Sequence, residues 1–484
     1  MAYFDENTRV KFPATIQFLR LGYDYQSLKD CEIDINTRIF KERFKASIER
    51  INNVTLTDAE VASLITEIHN LIKRKDMGKE FYRRIIQPGS ALALVDFENI
   101  QNNDFAVVDE LTFAPEEGDA FRPDINILIN GIPLGFLEVK MPDNPGGIQR
   151  EFHRMIDERL RKPEQEKFFN LLQFITFSNN MEYEDTDDTA MAEEIRAGSF
   201  YSTPNGQNTY FNFFREQKDT EKTSGFQDVS VATIKYILKD NGYSESEYDA
   251  PEFQTNLDPF TPCNKFVTSF FEQSRLLYIL HYGFCYVDCV DKQGNPYVEK
   301  HIMRYPQFFA TQGILKRLES GGKSGIIWHT QGSGKTELAA YANRIIRDYY
   351  AKKNIITRFF FVVDRLDLLL QAQGEFEHRG MTVTAVSDKS SFIKELNRTM
   401  DSAKHGTDLG SYTCVNIQKI MEHSDMPSSN DYNANIQRIF FIDEAHRSYR
   451  KNGEYFKNLM CCDADGVFIC LLYTSDAADD MQCV

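Results

Sequence analysis

The sequence predicts an α/β protein made of two differently organised parts, and three observations support this. At 484 residues the chain is too long for a single hydrophobic core, so two or three domains are expected. Up to about residue 240, helical and strand patterns are mixed without a fixed order. From Lys300 onward, short apolar strands alternate with helices, a rhythm that predicts a parallel sheet covered on both faces.

Composition and charge exclude several classes of protein. The 42% hydrophobic and 26% charged fractions are those of a soluble globular protein, and the longest apolar runs are too short to cross a bilayer. Acidic residues near the N-terminus disfavour an export signal. Nine cysteines without a CxxC pair predict neither a zinc site nor structural disulfides, and a cytoplasmic location. The net charge of −17 disfavours indiscriminate nucleic-acid binding but permits a local basic groove.

The first part is predicted to combine buried strands with charged helices. The predicted strands are ALALVDF (91–97), DFAVVDELTF (104–113), DINILI (124–129) and LLQFITFS (171–178). Two basic stretches, KRKDMGKEFYRR (73–84) and HRMIDERLRK (153–162), are each predicted to be solvated helix faces.

The second part contains a phosphate-binding motif in the structural context that it requires. HTQGSGKT (329–336) follows the apolar strand SGIIWH and opens a helix. Lys335 is predicted to reach the outer phosphates of a nucleotide, and Thr336 to hold Mg²⁺. His329 stands where glycine or alanine is usual. Backbone N–H groups are predicted to approach the phosphate oxygens at Gly332, Ser333 and Gly334.

A second apolar strand ends in the carboxylates that such a site needs. In RIFFIDEAHRS (438–448), Asp443 is predicted to hold the Mg²⁺ shell and Glu444 to polarise the attacking water. The DEAH segment resembles the motor box of superfamily 2 helicases and translocases. This resemblance implies that His446 couples the nucleotide state to the motor. It also implies that Gln307, the last residue of RYPQ (304–307), contacts the adenine. The expected cofactors here are ATP and Mg²⁺.

Charged residues at the ends of an apolar hairpin indicate a second site. In RPDINILINGIPLGFLEVK (122–140), Asp124, Glu138 and Lys140 fit the pattern PD…(D/E)xK. Two carboxylates can clamp a divalent metal, and the ammonium can stabilise negative charge that develops on a phosphate. The alternative interpretation is a hairpin without a functional site, whose charged ends reach solvent. Burial among apolar neighbours argues against it, because unpaired buried charge is costly.

The hairpin register decides between these interpretations. A strict two-residue turn at Asn130-Gly131 would pair Asp124 with Leu137 and send Glu138 to the opposite face of the sheet. A three-residue loop or one β-bulge would pair Asp124 with Glu138. We therefore predict such a loop or bulge. Carboxylate oxygens more than about 8 Å apart would count against a shared metal.

Taken together, these segments resemble the restriction (R, or HsdR) subunit of type I restriction–modification enzymes from about residue 80 to 469. The resemblance implies a PD-(D/E)xK nuclease domain followed by a RecA-like motor lobe. It implies duplex DNA as substrate and assembly with methylation and specificity subunits. Asp124, Glu138 and Lys140 become nuclease residues. Gln149 matches the first position of a Q-x-x-x-Y helix motif, whereas His153 replaces its tyrosine and reads more simply as a surface histidine.

The predicted boundaries follow from this order. They are a nuclease domain at 1–245, a connecting helical segment at 246–300, a first motor lobe at 301–469, and a tail at 470–484 without strand or helix pattern. The tail departs from the family, so we expect truncation with a non-native end and a missing second motor lobe. ATP binding is then expected to be weak, and translocation to be lost.

Two other functions remain open at this stage. The chain could be a DNA translocase or repair helicase whose N-terminal domain binds DNA without cutting it. It could also be an inactive fragment that only binds partners, which an exposed apolar sheet edge after Ile469 would favour. Convergence of the three hairpin charges discriminates the nuclease from the translocase whose N-terminal domain only binds DNA.

Overall fold

The protein is described by a computed structural model that divides into two compact units. Unit 1 comprises Met1–Phe284 and Val298–Ile302, and unit 2 comprises Cys285–Tyr297 and Met303–Val484. The structure describes residues 5–29, 31–115, 118–142, 147–183, 197–205, 211–216, 225–329, 334–386, 388–398, 410–416, 435–443 and 463–473. Among the helices in these ranges, none has the length and apolarity to cross a bilayer.

Unit 1 is a mixed sheet surrounded by helices. Its strands are β1 (Asp24–Tyr25), β2 (Phe105–Asp109), β3 (Ile125–Ile129), β4 (Ile132–Val139), β5 (Phe174–Ser178), β6 (Ser199–Ser202) and β7 (Asn212–Phe213). Its α-helices are α1 (Phe12–Arg20), α2 (Lys41–Asn52), α3 (Asp58–Ile72), α4 (Lys79–Ile86), α5 (Gly147–His153), α6 (Glu166–Leu171), α7 (Val231–Asp240), α8 (Pro251–Asn256), α9 (Pro262–Phe271) and α10 (Gln273–Tyr282). π-Helical segments span Asn7–Lys11 and Arg154–Leu160, and short 3₁₀ turns span Ile100–Asn102, Pro163–Gln165 and Glu245–Asp249.

The sheet of unit 1 runs in the order β1-β2-β3-β4-β5-β6-β7. Strands β1 and β2 are parallel, as are β4 and β5, and the remaining neighbours are antiparallel. The three central strands β3, β4 and β5 are buried along their whole length. The parallel pairing brings the carboxyl ends of β4 and β5 to one edge of the sheet, where Glu138 lies opposite Phe177.

One strand prediction in unit 1 is wrong. ALALVDF at 91–97 contains no strand, although Leu94 and Val95 are buried. Its backbone is bound by asparagine side chains instead of a neighbouring strand. Asn52 bonds both the N–H and the carbonyl of Ala93, and Asn130 donates to the Leu94 carbonyl. These side-chain amides satisfy the backbone groups that a β-ladder would otherwise take.

The segment predicted to connect the two parts is divided differently. Helices α8, α9 and α10 group with unit 1, because aromatic residues of α9 enter its core. The Phe270 ring lies 4.7 Å from that of Tyr201, and the Phe271 ring 4.8 Å from that of Phe18. The chain then passes to unit 2 through the hairpin of β8 (Phe284–Val290) and β9 (Pro296–Ile302).

Unit 2 has the predicted parallel sheet. Its strands are β10 (Ser324–His329), β11 (Ile356–Val363), β12 (Thr382–Val386), β13 (Ser411–Asn416), β14 (Ile436–Asp443) and β15 (Val467–Tyr473), and its helices are α11 (Tyr305–Glu319), α12 (Lys335–Ala351), α13 (Leu366–His378) and α14 (Lys389–Leu396). The order is β10-β15-β14-β11-β13-β12, with every pair parallel. Alternate residues of β14 bury on opposite faces: Ile439 and Phe441 in one cluster, Phe440 and Ile442 in another.

Two expectations about this sheet need correction. Strand β15 continues through Tyr473, so the prediction that the chain has no strand pattern from residue 470 is wrong for 470–473. All four residues pair with β10, Cys470 and Leu471 also pair with β14, and Leu471 is fully buried. Residues 474–484 lie outside the described ranges. The sheet is also not covered on both faces throughout, because Ile326 and Trp328 of edge strand β10 are 56% and 55% exposed.

Gly135 provides a steric test of the packing beside the hairpin. A Cβ at this position would lie 2.0 Å from the Phe174 ring, which sits in the buried core. We expect Gly135→Ala to destabilise unit 1 by about 1–3 kcal/mol, because the ring cannot move aside without strain. Gly374→Ala is the control, since nothing lies within 4 Å of its added Cβ in helix α13. Equal unfolding free energies for the two variants in urea titrations would contradict this packing.

Candidate functional site

The β3–β4 hairpin aligns the two predicted carboxylates through a β-bulge. Its turn is a two-residue Asn130-Gly131 turn, with φ values of 54° and 74°, and Ile129 faces Ile132. The register then shifts between Leu128, which pairs with Pro133, and Ile127, which pairs with Gly135. Leu134 is thus the extra residue. The prediction of a loop or bulge is confirmed, and the next pair outward is Asp124 with Glu138.

Lys140 lies between the two carboxylates. Its Nζ is 3.8 Å from Asp124 Oδ2 and 3.6 Å from Glu138 Oε1, so these two oxygens are separated by less than the 8 Å limit set above. Asp124 Oδ2 also accepts a hydrogen bond from the Val139 N–H at 2.9 Å, which fixes the orientation of the carboxylate. The three predicted charges therefore converge at the open end of the hairpin.

Burial makes this cluster electrostatically unusual. Burial and the charge of Asp124 raise the pKa of Glu138 to about 8, although Lys140 opposes the shift. Burial likewise raises the pKa of Asp124. Burial alone would lower the pKa of Lys140, but Glu138, Asp124 and further carboxylates prevail and raise it above its usual value. Lys140 is therefore charged at neutral pH, and the two carboxylates need more positive charge than one ammonium supplies.

This shortage of positive charge fits a divalent cation. Glu138 is only 4% exposed, and its Oε2 has no hydrogen-bond partner among the described residues. The described ranges contain no group of three or more His, Cys, Asp or Glu side chains arranged to hold a metal. Asp124 and Glu138 would thus be the protein ligands, with further positions left to water and phosphate, as Mg²⁺ prefers.

Sequence reasoning missed a third carboxylate beside Lys140. Glu6 Oε1 lies 3.3 Å from Lys140 Nζ, and burial raises the pKa of Glu6. Glu6 precedes Lys140 by more than 130 residues, so no local pattern could have indicated the contact. A second ion pair, between buried Lys11 and Glu110 at 2.7 Å, lies next to Asp124, whose carbonyl accepts from the Glu110 N–H.

The charged helix after the hairpin gives mixed outcomes. Gln149 lies on α5 and is partly buried, while the His153 side chain is 55% exposed and contacts Asp157, as a surface histidine would. The prediction of a solvated face at 153–162 is wrong for Arg159, which is buried. In the other basic stretch only the residues from Lys79 onward are helical, and the prediction of a solvated face is wrong for Arg84, whose side chain is 10% exposed and pairs with Glu67 at 2.7 Å. Arg83, which pairs with Glu80, is more exposed.

The nucleotide-binding residues of unit 2 are described in part. Gly334, with φ of 74°, caps helix α12, which Lys335 and Thr336 open. Asp443 ends β14, on the same sheet edge as the end of β10, because the carboxyl ends of parallel strands meet there. Four predicted residues lie outside the described ranges: Gly332, Ser333, Glu444 and His446.

Gln307 is fully buried against the end of the phosphate-binding loop. Its Nε2 donates to the Gly334 carbonyl at 3.1 Å and to Glu337 Oε2 at 3.2 Å, and its Oε1 accepts from the Arg304 N–H at 2.9 Å. A Cβ on Gly334 would approach this amide nitrogen to 2.7 Å, and the φ of 74° at this residue also favours glycine. The structure thus joins RYPQ to the loop directly. Its role as an adenine contact stays a prediction.

Comparison with known proteins bears on both units. Residues 3–194 match the family model of the type I restriction enzyme R protein N terminus (HSDR_N). A Methanocaldococcus jannaschii protein, provisionally named as a type I restriction enzyme MjaIXP endonuclease subunit, is 25% identical over 475 residues, covering 90% of this chain and 39% of that protein. The chain is an HsdR-like protein.

Two further relatives agree with this assignment. The HsdR-like chain is 23% identical over 467 residues to the SauCOLORF180P endonuclease subunit of a type I restriction enzyme from Staphylococcus aureus (strain COL), covering 91% of this chain and 40% of that one. It is 23% identical over 473 residues to the HindI endonuclease subunit from Haemophilus influenzae, covering 90% and 38%. The chain therefore spans about two fifths of the length of these relatives.

Residues 306–467 of the HsdR-like chain match the SWI2/SNF2 ATPase model, so unit 2 contains an ATPase region of that kind. A solved structure of a nuclease-deletion mutant of the type ISP restriction-modification enzyme LlaGI with a DNA substrate mimic covers 36% of this chain and 17% of that one. Its sequence identity is 17% and its TM-score 0.26, which is too low to support a conclusion about either sheet.

Proposed function

We propose that this chain acts as the restriction subunit of a type I restriction–modification system. Unit 1 would be a PD-(D/E)xK nuclease that cleaves unmodified duplex DNA with Mg²⁺, and unit 2 a RecA-like motor that uses ATP. The single observation that carries the nuclease proposal is the convergence of Asp124, Glu138 and Lys140 at the bulged hairpin. A domain that only binds DNA gains nothing from two buried carboxylates, which would repel phosphates.

The residues of unit 1 have distinct tasks in this proposal. Asp124 and Glu138 would hold Mg²⁺, which when bound supplies a Lewis acid and a more acidic water. The Val139 N–H keeps Asp124 oriented, and burial keeps bulk water from Glu138. The Lys140 ammonium, held charged by its carboxylate neighbours, would stabilise negative charge on the phosphate under attack.

Partners are proposed on the basis of the relatives and the charge of the chain. The relatives are named as endonuclease subunits of type I restriction enzymes. A net charge of −17 does not favour unaided binding along DNA, which depends on neutralising phosphates. Methylation and specificity subunits would therefore deliver the DNA and choose the recognition site.

Plasmid cleavage tests the nuclease proposal. The chain is assayed with Mg²⁺, with and without ATP and methylation and specificity subunits, beside Glu138→Ala and the exposed control Glu158→Ala. We expect Glu138→Ala to lose on the order of 10²–10³-fold in cleavage rate and Glu158→Ala to match the unaltered chain. If no condition yields cleavage by the unaltered chain, the nuclease proposal fails and the non-cleaving translocase takes its place.

The sole tryptophan of the chain reports on the proposed ATP site. Trp328 lies on β10, directly before the phosphate-binding loop. We expect Mg²⁺–ATP to change its fluorescence, and Lys335→Ala to weaken the fitted affinity by about ten- to a hundredfold, because a charge-assisted phosphate contact is lost. Lys352→Ala, at the far end of α12, is the control. An unchanged affinity in Lys335→Ala would exclude the proposed contact.

A further inference from the structure

Three buried polar atoms behind Glu138 are not explained by the proposed cleavage chemistry. Glu138 Oε2, Glu151 Oε2 and Arg159 Nη1 are each buried without a hydrogen-bond partner among the described residues. Their side chains belong to residues that are 4%, 5% and 7% exposed. A buried polar atom without a hydrogen-bond partner destabilises a folded protein, so three in one region indicate a ligand that satisfies them.

These groups lie on the same side of the sheet. The Arg159 guanidinium stacks 4.5 Å from the centre of the Phe121 ring, which lies 5.3 Å from that of Phe136. Phe136 precedes Glu138 by two residues on β4, so both side chains point to one face. Arg159 and Glu151 both affect the pKa of Glu138, the first lowering it and the second raising it, which also places them nearby.

The other oxygens of the two carboxylates already have neighbours. Glu138 Oε1 faces Lys140, and Glu151 Oε1 faces Arg154 at 3.3 Å. The atoms still without a partner are two acceptors, Glu138 Oε2 and Glu151 Oε2, and one donor, Arg159 Nη1. A single water molecule matches this set, because it can donate to both carboxylate oxygens and accept from the guanidinium. A second metal ion would suit the carboxylates, but Arg159 would repel it.

We propose that Glu151 and Arg159 are positioning residues, which hold the buried oxygen of Glu138 through one internal water molecule. Glu138 Oε1 is thereby kept facing Lys140, in the orientation in which this carboxylate would hold the metal. The inference rests on the proposed nuclease function. Neither Glu151 nor Arg159 touches the reacting atoms, so their effect is on metal affinity more than on folding.

Metal binding by the 484-residue chain tests the proposal. Mn²⁺ affinity of unit 1 is measured by calorimetry without nucleotide and with the proposed metal ligand of the ATP site removed by Asp443→Asn, for Arg159→Met, Arg159→Lys and Glu151→Gln. Arg161→Met, at the C-terminal cap of the same helical segment but exposed, is the matched control. We expect a ten- to hundredfold weaker affinity for Arg159→Met, partial recovery in Arg159→Lys, and none of this loss in Arg161→Met. Plasmid cleavage should need correspondingly more Mg²⁺, with a smaller change in the maximal rate.

The outcomes separate this inference from the nuclease proposal. Absence of Mn²⁺ binding by the chain with intact Glu138 overturns the metal site and, with it, the inference. Binding that Arg159→Met leaves unchanged overturns the positioning role alone. If Arg159→Met loses its fold by circular dichroism, the isosteric Glu151→Gln decides, and an unchanged affinity refutes the proposal. Crystals of the chain soaked in Mn²⁺ test the water: an anomalous peak touching Glu151 would show a cation there instead.

Discussion

Replacing Lys140 with methionine is expected to destabilise unit 1 by about 3 kcal/mol at pH 8 and by much less at pH 5. Lys140 is the ammonium that faces Asp124, Glu138 and Glu6, and its side chain is only 14% exposed. Removing one partner of a buried ion pair leaves uncompensated charge, which costs about 3–5 kcal/mol. Methionine keeps the length of the side chain, so the change tests charge and not volume.

The pH dependence follows from the direction of the pKa shifts. The pKa values of Asp124 and Glu138 are raised in the folded protein, so their protonated forms favour folding. That stability is present at low pH and is lost as the pH rises through the raised values. Without Lys140 the values rise further, so the difference between variant and unaltered chain must grow between pH 5 and 8.

Hydrogen exchange of peptides from β3, β4 and β5 measures the effect within unit 1. Mg²⁺ at a hundred times its dissociation constant should recover about 2.7 kcal/mol, because it binds only the folded site. Lys162→Met, which breaks an exposed ion pair with Asp119, is the control and should change stability by less than about 1 kcal/mol. Equal destabilisation at pH 5 and pH 8 would show that the loss does not come from the charges of Asp124 and Glu138.

The second large effect is expected at a buried ion pair in unit 2. Arg438 and Asp463 lie 3.2 Å apart with side chains 4% and 2% exposed, and Arg438 Nε also donates to the Leu396 carbonyl. Arg438→Met should destabilise unit 2 by about 3–5 kcal/mol, because it leaves the Asp463 carboxylate buried without its cation. The emission of Trp328, the only tryptophan, reports unfolding of this unit in guanidinium chloride.

Two comparisons make this prediction specific. Arg365→Met breaks an ion pair with Asp367 in which both side chains are more than half exposed, and it should cost less than about 1 kcal/mol. Adding Asp463→Leu to Arg438→Met should recover part of the lost stability, because an apolar pair leaves no buried charge without a partner. A double variant less stable than Arg438→Met would mean that the geometry of the turn before β15, and not the ion pair, stabilises this region.

The sequence alone predicted those features of the fold and the site that depend on residues close together in the chain. Apolar runs of β11 and β14 predict a parallel sheet whose central strands are buried on both faces, and the Asn130-Gly131 turn with two carboxylates on its arms predicts the bulge. Glu6, Glu151 and Arg159 could not be found this way. Glu6 reaches the site from the start of the chain, and Glu151 and Arg159 depend on how the helical segment after the hairpin packs against the sheet. A buried arginine in a charged helix has the same local sequence pattern as a solvated one.

Local patterns also failed where side chains replace a regular ladder. ALALVDF has the alternation of a strand, but Asn52 and Asn130 satisfy its backbone from positions far along the chain. For the ATP site, sequence indicated the loop and the helix that follows it. It did not indicate that Glu337, one residue past Thr336, would bind the amide of Gln307 and the hydroxyl of Tyr341.

The bulge at Leu134 has a consequence for aligning this hairpin with others. Successive side chains of a strand point to opposite faces of the sheet. For Asp124 and Glu138 to share a face, the number of residues between them must therefore be even or odd according to whether a bulge is present. A chain that differs by one residue in this loop would still contain both carboxylates. One of them, however, would point to the opposite face of the sheet and into the core. Insertions and deletions here should therefore occur in pairs, or together with loss of the bulge.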